Sequence, residues 1–193
     1  MRWARRVAPS ATEGESDFDD LFRSTWSRAV AAARRIVGPG GDPEGLAAEA
    51  LTRAYDRWPS VRRHPAPDAW VLRVTINLAL DRVRRPAATT GETIDLRDDV
   101  NFDVDDLGSD AADATATRMA LVAALRALPE KQRHAVALRY LAGCEERDIA
   151  ASLGINPGTV KTHLKRGLES LRSQLGTEPE TLDALVPGTA PVL

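Results

Sequence analysis

The stretch from Glu145 to Arg166 leaves this chain little choice of local structure. Ile149, Ala150 and Leu153 form a short apolar helical stripe that stops at Gly154, the residue type best suited to a left-handed C-cap. Asn156 can N-cap a second helix, and Pro157 is tolerated in its first turn because the missing N–H would have had no helical partner. Val160, Leu164, Leu168 and Leu171 then recur at helical spacing, so one face of that helix is apolar. Thr159, Lys161, Thr162, Lys165 and Arg166 occupy the opposite face, with no carboxylate among them. A short helix, a tight glycine turn and a longer helix with a cationic outer face make a helix-turn-helix, whose second helix suits a DNA major groove. The plainer alternative is a helical hairpin with a solvated basic face. Cap, turn, stripe and charge all agree on the helix-turn-helix.

Composition narrows what surrounds this unit. The 193 residues suffice for one large domain or two small ones. No run approaches the ~20 apolar residues that a membrane span needs, so no membrane insertion is expected. The cationic start, Met1 to Pro9, has no apolar segment behind it, which argues against a signal peptide and for a cytoplasmic location. A single cysteine, Cys144, excludes an internal disulfide framework and fits a reducing compartment. With His64, His134 and His163 scattered, no zinc-ligand spacing exists, and neither metal nor cofactor is expected. The net charge of −2 conceals a segregation: residues 1–85 carry +4, residues 86–117 carry −8 and residues 118–175 carry +5. Two basic blocks joined by an acidic strap is therefore the informative description.

Periodicity predicts an all-α chain of two small helical domains joined by an extended acidic linker. Residues 1–16 show no period and are expected to be disordered. A stripe from Phe18 to Val37 predicts a first helix, stopped by Gly38-Pro39-Gly40-Gly41. Asp42-Pro43-Glu44 supplies a cap, a first-turn proline and an acid at the positive end of a second helix, which runs to Trp58 before Pro59. A third helix spans Asp68 to Arg85, closing a first domain over 17–85. Residues 86–117 read as the linker, because their apolar residues alternate with repeated like charges and no partner strand is in sight. Helical periodicity resumes near Ala114, and a second domain over 118–176 ends in the helix-turn-helix; residues 177–193 form a loosely held tail.

The third helix is apolar nearly all round, as a helix buried among partners should be. Arg73, Asn77, Asp81 and Arg84/Arg85 nevertheless line up in one narrow polar stripe. One reading is a solvated edge with Asp81 paired to Arg85. The other is a surface for separated or distorted nucleic acid, with cations for phosphate and an amide for base edges. Trp58 and Trp70 are candidates for base stacking, although a helical tryptophan more often belongs to the core.

Taken together, these segments resemble the extracytoplasmic-function (ECF) sigma factors of the sigma-70 family. The resemblance is carried by Asp42 to Ala54, by Ala69 to Arg85, by Ala124 to Leu141 with its Leu-Pro-Glu-Lys-Gln-Arg run, and by the helix-turn-helix. It covers about residues 17–85 and 118–175. The resemblance implies a promoter-specificity subunit with bacterial core RNA polymerase and promoter DNA as partners, an anti-sigma factor as a candidate further partner, and a nucleoid association when polymerase is bound. It assigns minus-ten contacts to Arg73, Asn77, Asp81, Arg82, Arg84 and Arg85. It assigns minus-thirty-five contacts to Arg133, Thr159, Lys161, Thr162, Lys165 and Arg166, and polymerase docking to Asp42, Glu44, Glu49, Leu51 and Arg53. Three departures stand out: Gly45 and Ala48 where the family has an acid and a glutamine, Glu145-Glu146 ahead of the helix-turn-helix, and Leu51 in place of an aromatic residue. Gly45 is expected to cost the second helix roughly 1 kcal/mol against alanine.

Two other functional classes are to be weighed. A stand-alone helix-turn-helix regulator with weakened polymerase binding draws its support from Gly45 and Ala48, but has no use for the polar stripe of the third helix. An enzyme is disfavoured, because no paired carboxylates, nucleophile–base couple or phosphate loop is present. Cys144, with no cation beside it in the sequence, reads as an inert thiol.

Overall fold

A computed structural model describes residues 11–84 and 109–176, with side chains over 17–83 and 114–176. Among these residues there are eight α-helices, one π-helical turn and no strand, as the all-α expectation requires. The first group comprises α1 (Ala11–Val37), α2 (Pro43–Asp56), the single-turn α3 (Trp58–Val61) and α4 (Pro67–Arg84). The second comprises α5 (Ser109–Ala127), α6 (Glu130–Val136), a π turn (Ala137–Leu141), α7 (Glu146–Leu153) and α8 (Pro157–Leu175).

The first group is built on small residues. Ala29, Ala32 and Ala33 of α1 and Ala47 of α2 are wholly buried, which lets α1, α2 and α4 pack closely, since interaxial distance follows side-chain size. Ile36, Leu46, Leu72 and Ile76 fill the space between them. That core does not stop at the boundary of the group. It continues through Leu125, Leu128, Leu138, Ile149, Val160 and Leu171, so the two helical groups lie packed on one another around one contiguous cluster. A smaller cluster of Leu21, Ala50, Leu51, Ala54, Val61 and Val71 sits under an aromatic cover at the far side of α2.

Several boundaries differ from those expected. Residues 11–16, assigned to a disordered segment, are the first turns of α1. Ala11, Glu13 and Glu15 are good helix formers, the acids lie at the positive end of the helix, and adding turns to an existing helix avoids the nucleation cost. Likewise α5 starts at Ser109, inside the stretch assigned to the linker, because its alanines continue the helix N-terminally past the apolar stripe. Trp58 does not close α2; the chain bends at Arg57, and Pro59 sits in the first turn of α3, where proline is accepted. The remaining linker expectation, over 86–108, and the tail over 177–193 lie outside the described residues.

Gly45 has a reason that the sequence conceals. Asp42 adopts a left-handed backbone (φ 57°, ψ 57°), and its carboxylate accepts the Gly45 N–H at 2.9 Å, capping α2. A Cβ on residue 45 would lie 2.1 Å from the other oxygen of that carboxylate, so glycine and cap come as a pair. Gly45→Ala is therefore expected to forfeit the ~1 kcal/mol that alanine gives an open helix, because it displaces a cap of comparable worth. In an Asp42→Gly background the same substitution should stabilise by about 1 kcal/mol. Urea midpoints of the four proteins decide it; an equal gain in both backgrounds means that the cap accommodates a Cβ.

Candidate nucleic-acid interface

The turn between α7 and α8 is closed by its own backbone. Gly154 takes the left-handed conformation (φ 61°), and the Ile155 N–H reaches back to the Ala150 carbonyl at 3.0 Å, the bond that ends a helix in a Schellman turn. Two residues later the Asn156 side-chain oxygen accepts the Gly158 N–H at 2.9 Å and starts α8. Val160, Leu164 and Leu171 face the core, and Leu168 is half-buried beside them. Thr159, Lys161, Thr162, Lys165 and Arg166 are all exposed, which brings the five residues predicted for the recognition helix onto open surface. Lys161 stands 4.0 Å from Glu146 of α7, an exposed pair worth little and easily exchanged for phosphate.

Arg133 is not with them. Its Nη1 donates to the carbonyls of Arg126 and Leu128 at 3.1 and 3.2 Å, tying down the end of α5. Those carbonyls lack helical partners, and a guanidinium is well placed to satisfy them. The expected phosphate contact thus has a structural task at the α5–α6 corner.

The polar stripe of α4 divides in two. Asp81 and Arg82 are exposed, whereas Arg73 and Asn77 are half-buried against the second group. The Arg73 guanidinium donates to the Ser152 carbonyl of α7, and burial draws its pKa down against the pull of Glu130. Ser152 in turn donates its hydroxyl to the Ala69 carbonyl at 3.3 Å. Asn77 presents its amide oxygen to His134 Nε2 of α6 at 2.7 Å. Burial first, then the Arg133 and Arg73 cations against Glu130, push the His134 pKa down to about 4. The ring is neutral at neutral pH, and Nε2–H is the donor to Asn77. The side chain of Arg84 and the whole of Arg85 lie outside the described residues.

Other expected site residues divide between surface and core. Leu51 is 2% exposed and belongs to the small core, so it is not a polymerase contact. An aromatic-to-leucine change there alters packing beneath the surface. Asp42 caps α2, Glu44 pairs with Arg34, and Glu49 pairs with Arg53 at 2.5 Å; all five of these charged groups remain exposed. Trp58 meets Phe18 edge-on with ring centroids 5.3 Å apart, and Trp70 packs half-buried on the same cluster, which makes both core aromatics. Cys144 is buried, and burial raises its thiol to about 11 although Arg28 lies 3.5 Å from the sulfur. Burial and the raised pKa both disfavour a thiolate, although a cation does stand beside the sulfur.

Sequence reasoning missed the residues that join the two groups. Arg28 Nη2 donates to the Ala142 carbonyl at 3.1 Å and Arg35 to the Leu141 carbonyl at 2.5 Å, while within the second group Arg139 donates to the Cys144 carbonyl at 3.2 Å. The three guanidiniums line an open cavity of about 540 Å³ at the end of the π turn. Partners separated by 106 and 114 positions leave no local signal.

Comparison with known proteins bears on the identity of the two groups. Residues 21–89 match Sigma-70 region 2, and residues 118–171 match Sigma-70, region 4. The RNA polymerase sigma-E factor of Streptomyces avermitilis is 34% identical over 170 residues, covering 87% of this chain and 89% of the relative. The chain belongs to the ECF sigma factors of the sigma-70 family. The sigma-E factor of Streptomyces coelicolor is 31% identical over 82% of this chain and 86% of its own length. ECF sigma factor SigW of Bacillus subtilis is 29% identical over 84% and 91%. The solved structure of CnrH in complex with the cytosolic domain of CnrY shares the fold, with a TM-score of 0.53 and 18% identity over 86% of this sigma factor and 94% of that chain. Among the described residues no helix is long and apolar enough to cross a membrane.

The neutral His134 makes stability depend on pH. Its pKa is lower in the folded state than the ordinary 6.5 of an unfolded chain, so protons favour unfolding between those values. Stability should fall as pH drops from about 6.5 towards 4. His134→Gln should flatten that part of the profile, as read from urea unfolding of both proteins; parallel profiles would mean that His134 is not buried neutral.

Proposed function

We propose that this sigma factor brings core RNA polymerase to its promoters with a division of labour between its two helical groups. It binds core polymerase and promoter DNA, and acts as a regulatory subunit that leaves RNA synthesis to the polymerase. The group spanning 17–85 is the region 2-like domain that docks on polymerase and opens the minus-ten element. The group spanning 118–176 is the region 4-like domain that reads the minus-thirty-five element; the acidic strap between them is residues 86–108, since α5 begins at Ser109.

In the second domain, Thr159, Lys161, Thr162, Lys165 and Arg166 meet the major groove, hydroxyls and cations serving base edges and phosphates. The observation that carries this is their shared exposure on one face of the capped first half of α8, where no carboxylate occurs before Glu169. In the first, Asn77 and Asp81 face unpaired bases, while Arg73, Arg82, Arg84 and Arg85 hold the backbone. Asp42, Glu44, Glu49 and Arg53 lie on or beside the outer side of α2 and form the polymerase contact. The site of action is cytoplasmic, at the nucleoid, and an anti-sigma protein is a fitting antagonist. The stand-alone regulator is not favoured: region 2 is matched over 21–89, and Gly45, its best support, belongs to the Asp42 cap.

The test is run-off transcription with purified protein and core polymerase on a library of promoter fragments. Transcripts that require this protein support the assignment; duplex binding without any transcript overturns it. Lys165→Ala should weaken duplex binding across sequences and reduce the slope of log affinity against log salt by about 1. Asn77→Ala should spare duplex binding and impair open-complex formation, read by permanganate reactivity of unpaired thymines. Equal loss of both would make Asn77 a purely structural residue.

A further inference from the structure

We propose that the cavity beside the π turn is a binding site for a small ligand that carries a di- or triphosphate group, such as a nucleotide. The site goes beyond the promoter contacts and does not rest on them, since its ligand is bound by neither the α8 face nor the α4 stripe.

Positive charge is concentrated in this cavity without a counterpart. Arg28 and Arg35 of α1 line one wall and Arg139 of the π turn the other, and no Asp or Glu lines it. The chain holds 28 acidic residues against 26 Lys and Arg, so a carboxylate was not lacking for want of supply. Asp68, which does not line the cavity, stands 3.6 Å from Arg28 Nη1. Among the described residues, neither Arg35 nor Arg139 has an ion-pair partner.

The hydrogen bonds of these cations fix their direction and leave donors over. Arg35 gives Nη1 to the Leu141 carbonyl, and Arg139 gives Nη1 to the Cys144 carbonyl at 3.2 Å. A guanidinium has five N–H donors in a rigid fork, so each of the two retains donors for an anion. Arg28 turns both Nε and Nη2 to the Ala142 carbonyl, and therefore contributes charge more than free donors. Capping the end of a helix accounts for these carbonyl bonds. It does not account for the open volume or for the uncompensated charge. Because the forks are already held, binding an anion costs less side-chain entropy than it would at loose surface arginines. Linked phosphates suit such a site, since charge-assisted guanidinium–phosphate bonds are about twice as strong as neutral ones.

The cavity also has room for more than phosphate. Its volume of about 540 Å³ is that of a small-molecule site. Ala31, exposed between Ser27 and Arg35 on one face of α1, lacks the bulk to fill it. Tyr140 and Ser27 line the remainder, an aromatic ring for a base and a hydroxyl for a ribose or phosphate oxygen.

Isothermal titration calorimetry of the full-length protein with ADP, ATP and inorganic pyrophosphate, without polymerase or DNA, tests the site. One ligand should bind per chain. A nucleotide several-fold tighter than pyrophosphate supports a nucleoside-bearing ligand; equal affinities support a site for the phosphate chain alone. Arg35→Gln with Arg139→Gln should weaken binding tenfold or more. Since those changes also remove two caps, Ala31→Glu gives a second reading: it leaves every guanidinium in place, supplies the cavity with a carboxylate and should weaken binding by a similar factor. Lys161→Ala with Lys165→Ala removes two cations from the exposed face of α8, and ADP should still bind. No heat of binding at millimolar ligand, undiminished binding by Ala31→Glu, or binding lost with the α8 lysines overturns the proposal.

Discussion

A helix that is apolar nearly all round has to be enclosed, and α4 imposes that demand on everything near it. Val71, Leu72, Thr75, Ile76 and Ala79 are fully buried, and Thr75 is accommodated only because its hydroxyl returns to the Val71 carbonyl at 3.0 Å. Burying side chains such as Val71, Leu72 and Ile76 contributes on the order of 1.5–3 kcal/mol each. No single neighbour covers so many directions. Helices α1 and α2 take two sides, and α7 and the π turn take a third. The contact between the two groups is thus a continuation of the same burial that forms the first one, and the polar stripe of α4 is caught in it.

This explains which parts of the molecule were legible in the sequence. Local chemistry was readable: Gly154, Asn156 and Pro157 fixed the helix-turn-helix, and the alternation of apolar and cationic positions located the exposed face of α8. Residues whose role depends on a distant partner were not. Arg73 and Asn77 have the same spacing whether they face water, DNA or another helix, and only the arrival of Ser152 and His134 decides among these. Cys144 showed no neighbouring cation because Arg28 is 116 positions away. Gly45 looked like a weakness of α2 until the left-handed backbone of Asp42 brought a carboxylate into the space of its missing Cβ. Leu51 was misplaced for a related reason, since helical periodicity alone does not say which of two stripes a short α3 will cover.

The two surfaces proposed to meet DNA are made by different physics. On α8 the cations stand in water, where partners exchange quickly and salt screens them, so the face is ready whenever duplex is near. On α4 the equivalent groups are partly desolvated and satisfied within the fold.

The π turn fixes how these surfaces are aimed. In place of an α-helical bond, the Ala142 N–H reaches five residues back to Ala137, so the helix holds one residue more than its turns require. Each residue of an α-helix rotates the chain by about 100°. Removing one residue between Ala137 and Leu141 would close the turn into ordinary helix, yet swing the Leu141 and Ala142 carbonyls away from Arg28 and Arg35 and carry α7 and α8 round with them. The bearing of α8 relative to α4 is therefore set by a single backbone residue, and length along this helix acts as an angular dial.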